Sequence, residues 1–165
     1  GFGDAVTPEA SQITYPTLLD LPAPLILAYP VETVVAEKLQ AMIALGMLNS
    51  RMKDFYDVRM ISKQFRFEGP KLAEAIRVTF DRRRTEIPES IPTALSDEFA
   101  IDTEKTVQWK AFLKRSGLER IPVELPQIID EIRVFLIPPL NAATRCLDFN
   151  FYWIKGGPWS TEKGQ

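Results

Sequence analysis

Three charged residues, Lys38, Asp54 and Asp57, stand where two successive amphipathic segments should carry hydrocarbon. Wound as a helix at about 100° per residue, residues 30–45 gather Val31, Val34, Val35, Leu39, Met42 and Leu45 on one face. Lys38 falls in the middle of that face, between Val34 and Met42, while Glu37 points away and Glu32 sits at the apolar border beside Leu39. In the next segment Val58, Ile61 and Phe65 define the apolar face, with Asp54 at its centre and Asp57 at its edge; Arg59 and Lys63 point elsewhere. An unpaired charge is costly to bury. The ammonium must therefore meet one or both carboxylates, or all three must line a polar cleft. Two kinds of chemistry stay open. One is a structural salt bridge between packed helices. The other is a ligand cleft, in which a lysine serves as a mobile point charge toward phosphate and a carboxylate orients or deprotonates an acceptor.

Composition removes other chemistries. The 165 residues contain no histidine and one cysteine, Cys146. Ser-His-Asp and Cys-His catalysis are excluded, and a Cys/His zinc site lacks its ligands. An internal disulfide is impossible, which suits a reducing cytoplasm. No apolar run approaches the roughly 20 residues that cross a bilayer, so a cytoplasmic protein without a membrane span is expected. A net charge of −2 gives no global drive toward nucleic acid. Arg82-Arg83-Arg84 is the one local basic run; it reads as an answer to a helix C-terminal dipole, with an RNA-backbone contact as the alternative. Trp109, Trp153 and Trp159 read as core or as a capping tail ahead of base-stacking platforms. Cys146 reads as a buried thiol.

The elements that must position these residues are mostly helical. Residues 1–6 read as the end of a strand, residues 7–23 as a loop rich in Pro, Thr and Ser, and residues 25–29 as a short apolar strand. Pro30 opens a helix that Gly46 stops. Residues 47–53 form a connection, and helices follow over residues 54–64 and 71–83, separated by Gly69-Pro70. Residues 85–93 read as an extended linker and 96–99 as a short turn or helix. Two more helices span 103–116 and 124–137, the last closed by Pro138-Pro139, and an aromatic tail covers an apolar surface.

The same residues carry a family resemblance. Ala28-Tyr29-Pro30-Val31-Glu32-Thr33-Val34-Val35-Ala36-Glu37-Lys38-Leu39-Gln40-Ala41 resembles the YP-x-E-x-hh-AEKL-x-A segment of AbiEii/AbiGii-type nucleotidyltransferase toxins. Asn49-Ser50-Arg51-Met52-Lys53-Asp54-Phe55-Tyr56-Asp57 resembles the R-x-KD-hh-D segment that follows it. Residues 80–88 are similar to the family's next connector, and Gly1-Phe2-Gly3-Asp4 to the tail of its DIGFGD strand. The likeness covers residues 1–90; residues 95–165 match loosely. These proteins belong to the polymerase-β-like superfamily and include toxins of toxin–antitoxin and phage-defence systems. The resemblance implies transfer of a nucleotide from an NTP, with magnesium, to an acceptor such as the 3′ end of tRNA, magnesium neutralising the triphosphate. It implies that Lys38 contacts the triphosphate and Asp57 assists the acceptor. Asp54, Arg51 and Lys53 would support the cleft, and Glu37 and Glu32 are further candidates. An antitoxin is the expected protein partner.

The departure from the family pattern is a Gly-Ser followed by Asp-x-Asp, which supplies the phosphate-binding turn and the metal carboxylates and which this sequence lacks. The expectation is a chain that keeps the helical half of the cleft, holds no metal ligands and is inactive alone. The fold expected is mainly α (α+β): a helical bundle with short N-terminal strands, the C-terminal half of a nucleotidyltransferase-like fold. Residues 1–90 would belong to the core and 91–165 to a helical extension with an aromatic tail. The alternative function is a non-catalytic binding module for an antitoxin, a nucleic acid or a second copy.

Overall fold

The computed structural model describes residues 11–14, 25–28, 30–120 and 122–162. Two short strands, β1 (Ser11–Thr14) and β2 (Leu25–Ala28), pair antiparallel with Ser11 opposite Ala28 and Thr14 opposite Leu25. A strand thus occupies part of the stretch read as a loop, because its backbone pairs in register with β2. Residues 1–6 lie outside the described residues.

Six helices follow among the described residues: α1 (Val31–Leu45), α2 (Met52–Gln64), α3 (Gly69–Arg82), α4 (Asp97–Ile101), α5 (Thr103–Arg115) and α6 (Leu125–Arg145). The architecture is mainly α with some β, as expected. Local chemistry sets the ends. Pro30 precedes α1, and Gly46 ends it at φ +50°, donating its N–H to the Met42 carbonyl. Ser96 Oγ accepts from Phe99 N at 3.1 Å to start α4, and Asp102 Oδ1 accepts from Lys105 N at 2.9 Å to start α5.

α1 packs on α3, α3 on α6, and α6 on α2 and α4. The shared interior is filled by Leu39, Phe55, Ile76, Phe99, Ile132 and Phe135, each at most 1 % exposed. Burying a side chain of this size contributes about 1.5–3 kcal/mol. That interior fixes α1 against α2, and so fixes the geometry of the charged residues between them.

Two features depart from the sequence reading. α6 does not close at Ile137; it runs through Pro138 and Pro139 to Arg145. A proline in a helix leaves the carbonyl four residues earlier without its N–H partner. For Pro139 that carbonyl belongs to Phe135, and Trp159 Nε1 donates to it at 2.9 Å. The second departure is a three-stranded antiparallel sheet, β3 (Phe67–Glu68), β4 (Tyr152–Trp153) and β5 (Trp159–Ser160), in the order β3-β4-β5. Strands of two residues are too short to show alternation. The sheet brings the tail onto the end of α2: Trp153 Nε1 and Gly156 N both donate to the Ser62 carbonyl, at 2.7 and 3.0 Å. Gly69 lies so close beneath Phe149 that a Cβ there would stand 2.3 Å from the Phe149 carbonyl oxygen. Trp153 is 3 % exposed and packs against Phe135, so the aromatic tail covers apolar surface as expected.

Candidate functional site

Lys38 lies midway along α1, and Asp54 and Asp57 lie three residues apart at the start of α2. Lys38 Nζ donates to Asp54 Oδ1 at 2.7 Å and to Asp57 Oδ2 at 2.9 Å. The first turn of α2 favours carboxylates, because its free N–H groups and the helix dipole present positive charge. The approach to that turn is fixed by Asn49, whose Oδ1 accepts from Arg51 N at 2.8 Å. Asn49 is buried, and its Nδ2 has no hydrogen-bond partner. Two further cations complete the cluster. Arg51 Nε stands 2.8 Å from Asp54 Oδ2, a charge contact without hydrogen-bond alignment, and Lys53 Nζ donates to Asp57 Oδ2 at 2.6 Å. Asp54 is the most enclosed member, its side chain 7 % exposed against 20 % for Lys38 and 22 % for Asp57.

The cluster shifts the protonation of Lys38 and Asp57. Burial alone would lower the Lys38 ammonium, but the hydrogen bonds to Asp54 and Asp57 and the attraction of both carboxylates outweigh it and hold the group above the usual lysine range. Burial would raise Asp57, and the bonds from Lys53 and Lys38 outweigh that in turn and hold it below the usual aspartate range. Lys38 and Asp57 are therefore both charged near neutral pH.

Beside the cluster is a depression of ≈ 320 Å³ lined by Val34, Glu37, Lys38, Ala41, Arg51 and Arg83. Asp54 and Asp57 are not in its lining; they reach it through Lys38 and Arg51. The far wall comes from the end of α3. Arg82 Nη2 donates to Glu37 Oε1 at 3.0 Å, and Arg83 lies 3.6 Å from the same oxygen. Arg83 Nη1 donates to Gln40 Oε1 at 2.8 Å, and Gln40 Nε2 donates to Thr85 Oγ1 at 2.8 Å. Cations outnumber carboxylates in both groups. Lys38, Arg51 and Lys53 face Asp54 and Asp57, while Arg82 and Arg83 face Glu37. The surroundings of the depression are thus net positive.

The predicted residues divide accordingly. Lys38, Arg51, Lys53, Asp54, Asp57 and Glu37 come together. Glu37 does not simply point away: it is half-buried and ion-paired to α3. Glu32 lies apart, in a separate hollow with Arg66, Phe67 and Tyr152. The buried face of α1 is Thr33, Val35, Ala36, Leu39, Gln40 and Met42. Lys38 therefore sits at its border rather than its middle, and Leu45 is exposed. On α2, Arg59 does not point outward. It is buried, and its Nε donates to Glu131 Oε2 of α6 at 2.7 Å, where Lys63 joins at 2.9 Å. Phe65 is exposed instead. Cys146 is exposed rather than buried. Gln40, Asn49 and Arg83 are the site residues that helical periodicity does not single out. Gln40 carried a signal, being a polar residue four positions after Ala36 on the buried face.

Magnesium needs several oxygen ligands. Asp54 and Asp57 are each neutralised by two cations, and among the described residues no three His, Cys, Asp or Glu are grouped to hold a metal. These residues do not fit a magnesium ion. No helix among the described residues is long and apolar enough to cross a membrane.

Comparison with curated proteins and with solved structures gives no match. A family model does match: that of the nucleotidyl transferase AbiEii toxins of type IV toxin–antitoxin systems, over residues 1–136. Those residues contain all of α1 to α5, the ion-paired cluster and the positive depression, so the chain belongs to the AbiEii nucleotidyl transferase toxin family.

Proposed function

We propose that α1 to α3 form the helical wall of a site that transfers a nucleotide from an NTP to an acceptor hydroxyl, such as the 3′ end of tRNA. The observation that carries this reading is the Lys38 ammonium, held by Asp54 and Asp57 in the lining of an open, net-positive depression. In the reaction the acceptor oxygen bonds to the α-phosphorus, the bond to the β-phosphate bridge breaks, pyrophosphate leaves with its electron pair, and the hydroxyl proton passes to solvent. Lys38 offers its remaining donor to the triphosphate as a point charge. Arg51 adds charge beside it, while Asp54 and Lys53 keep the cluster in register. Asp57, kept ionised by two lysines, is a weak base. It orients the acceptor hydroxyl through a hydrogen bond rather than taking its proton outright.

In this reading the magnesium carboxylates are not among these residues, so the chain alone transfers nothing. Partnership with an antitoxin belongs to the same reading. The test uses NTPs labelled at the α-phosphate, magnesium and total tRNA. The 165 residues alone should give no labelled RNA. Joined to a Gly-Ser…Asp-x-Asp segment of this family, they should label it, and Lys38→Ala should abolish the labelling without unfolding the chain. Labelling at an unchanged rate with Lys38→Ala would refute the assignment of Lys38.

A further inference from the structure

We infer that Arg83, at the end of α3, is the leading phosphate contact of the depression and that Arg51 faces it across the same hollow. This inference rests on the nucleotide-transfer reading and deepens it, because it moves the main anion contact from α1 to α3.

Charge compensation around the depression is uneven. Every cation near the depression has a carboxylate oxygen within 3.0 Å except Arg83, whose ion pair with Glu37 is the longest, at 3.6 Å. Lys38 spends two of its three donors on Asp54 and Asp57. Lys53 is bonded to Asp57, and Arg82 to Glu37. Arg83 differs, for its hydrogen bond is to Gln40, a neutral amide. Its nearest carboxylate oxygen, on Glu37, stands at 3.6 Å and is already bonded to Arg82 at 3.0 Å. The guanidinium is thus anchored by a neutral amide and only partly compensated by a carboxylate it shares with Arg82. Gln40 is 6 % exposed and is itself fixed by Thr85, so the anchor is rigid. A planar fork held in place, with donors to spare and its charge only partly cancelled, is the arrangement that grips a phosphate through two hydrogen bonds.

Sodium tripolyphosphate, titrated calorimetrically into the 165-residue chain at low salt, tests the inference. Wild type should bind. Arg83→Gln should weaken binding at least about tenfold, the scale of one charge-assisted contact. Gln40→Glu, which would set a carboxylate against the guanidinium while keeping the side chain's shape, should weaken it several-fold. Arg77→Gln, remote on α3 and paired with Glu74, should bind as wild type does. Wild-type affinity in Arg83→Gln, or no binding by wild type, would overturn the inference. The labelling assay fails separately: tripolyphosphate held through Arg83, with no labelling by the chain joined to the Gly-Ser…Asp-x-Asp segment, refutes the enzymatic reading alone.

Discussion

Lys38→Met removes the ammonium and keeps most of the stem, so it isolates the charge. Breaking a buried ion pair by deleting one partner costs about 3–5 kcal/mol, because the other charge is left stranded. An exposed pair is worth about 0–1 kcal/mol. The cluster lies between these limits. The Asp54 side chain is 7 % exposed and keeps only the Arg51 contact; Asp57 is 22 % exposed and keeps Lys53. We expect a loss of about 2 kcal/mol. In a chain of this size that lowers the melting temperature by about 4–8 °C, read by far-ultraviolet circular dichroism at neutral pH. The decisive step is the triple variant Lys38→Met, Asp54→Asn, Asp57→Asn. Without carboxylates no charge is stranded, and Arg51 and Lys53, 58 and 72 % exposed, simply hydrate. Its melting temperature should return to the wild-type value or exceed it. A single variant that melts with wild type would show that the ammonium is not paired in the folded state. A triple variant as unstable as the single one would show that stranded carboxylates are not the cause.

The pH dependence has a definite sign. Asp57 is lowered in the fold, so its contribution is complete above the ordinary aspartate value and lost as pH falls through the lowered one. Lys38 is raised, so its contribution is complete below the ordinary lysine value and lost as pH climbs through the raised one. Denaturant titrations of wild type and Asp57→Asn should therefore converge in stability below about pH 4; a constant gap down to the acid limit would contradict the pairing. At the start of α3, Gly69→Ala drives a methyl into the Phe149 backbone and should cost about 1–3 kcal/mol. A change within about 0.5 kcal/mol in urea unfolding, the scale of an indifferent surface substitution, would mean that the tail yields freely.

What the sequence discloses and what it hides follow from the range of the interactions. The Lys38–Asp54–Asp57 contact is legible because helical spacing alone sets polar groups beside the apolar face of two neighbouring helices. Spacing gives relative angles but not which side a third helix covers. The packing of α3 against α1 therefore rotates the buried face toward Ala36 and Gln40, leaving Leu45 exposed. Arg59 looks like a surface residue until Glu131, 72 positions on, meets it. Pro138-Pro139 looks like a stop because the group that relieves it, the Trp159 indole, arrives 24 residues after the Phe135 carbonyl it serves. Arg83 reads as dipole compensation, and only its placement beside Gln40 makes it part of the depression.

The double acceptor at the Ser62 carbonyl bears on how this protein is cut for experiments. The family likeness stops at residue 136, inside α6 and just short of its prolines. A plasmid designed to that border would discard both indoles of the sheet, abandon the Ser62 oxygen, and loosen from behind the helix whose opposite tip carries Asp54 and Asp57. Homology and foldability have different frontiers here, and a purification handle is best appended beyond Ser160.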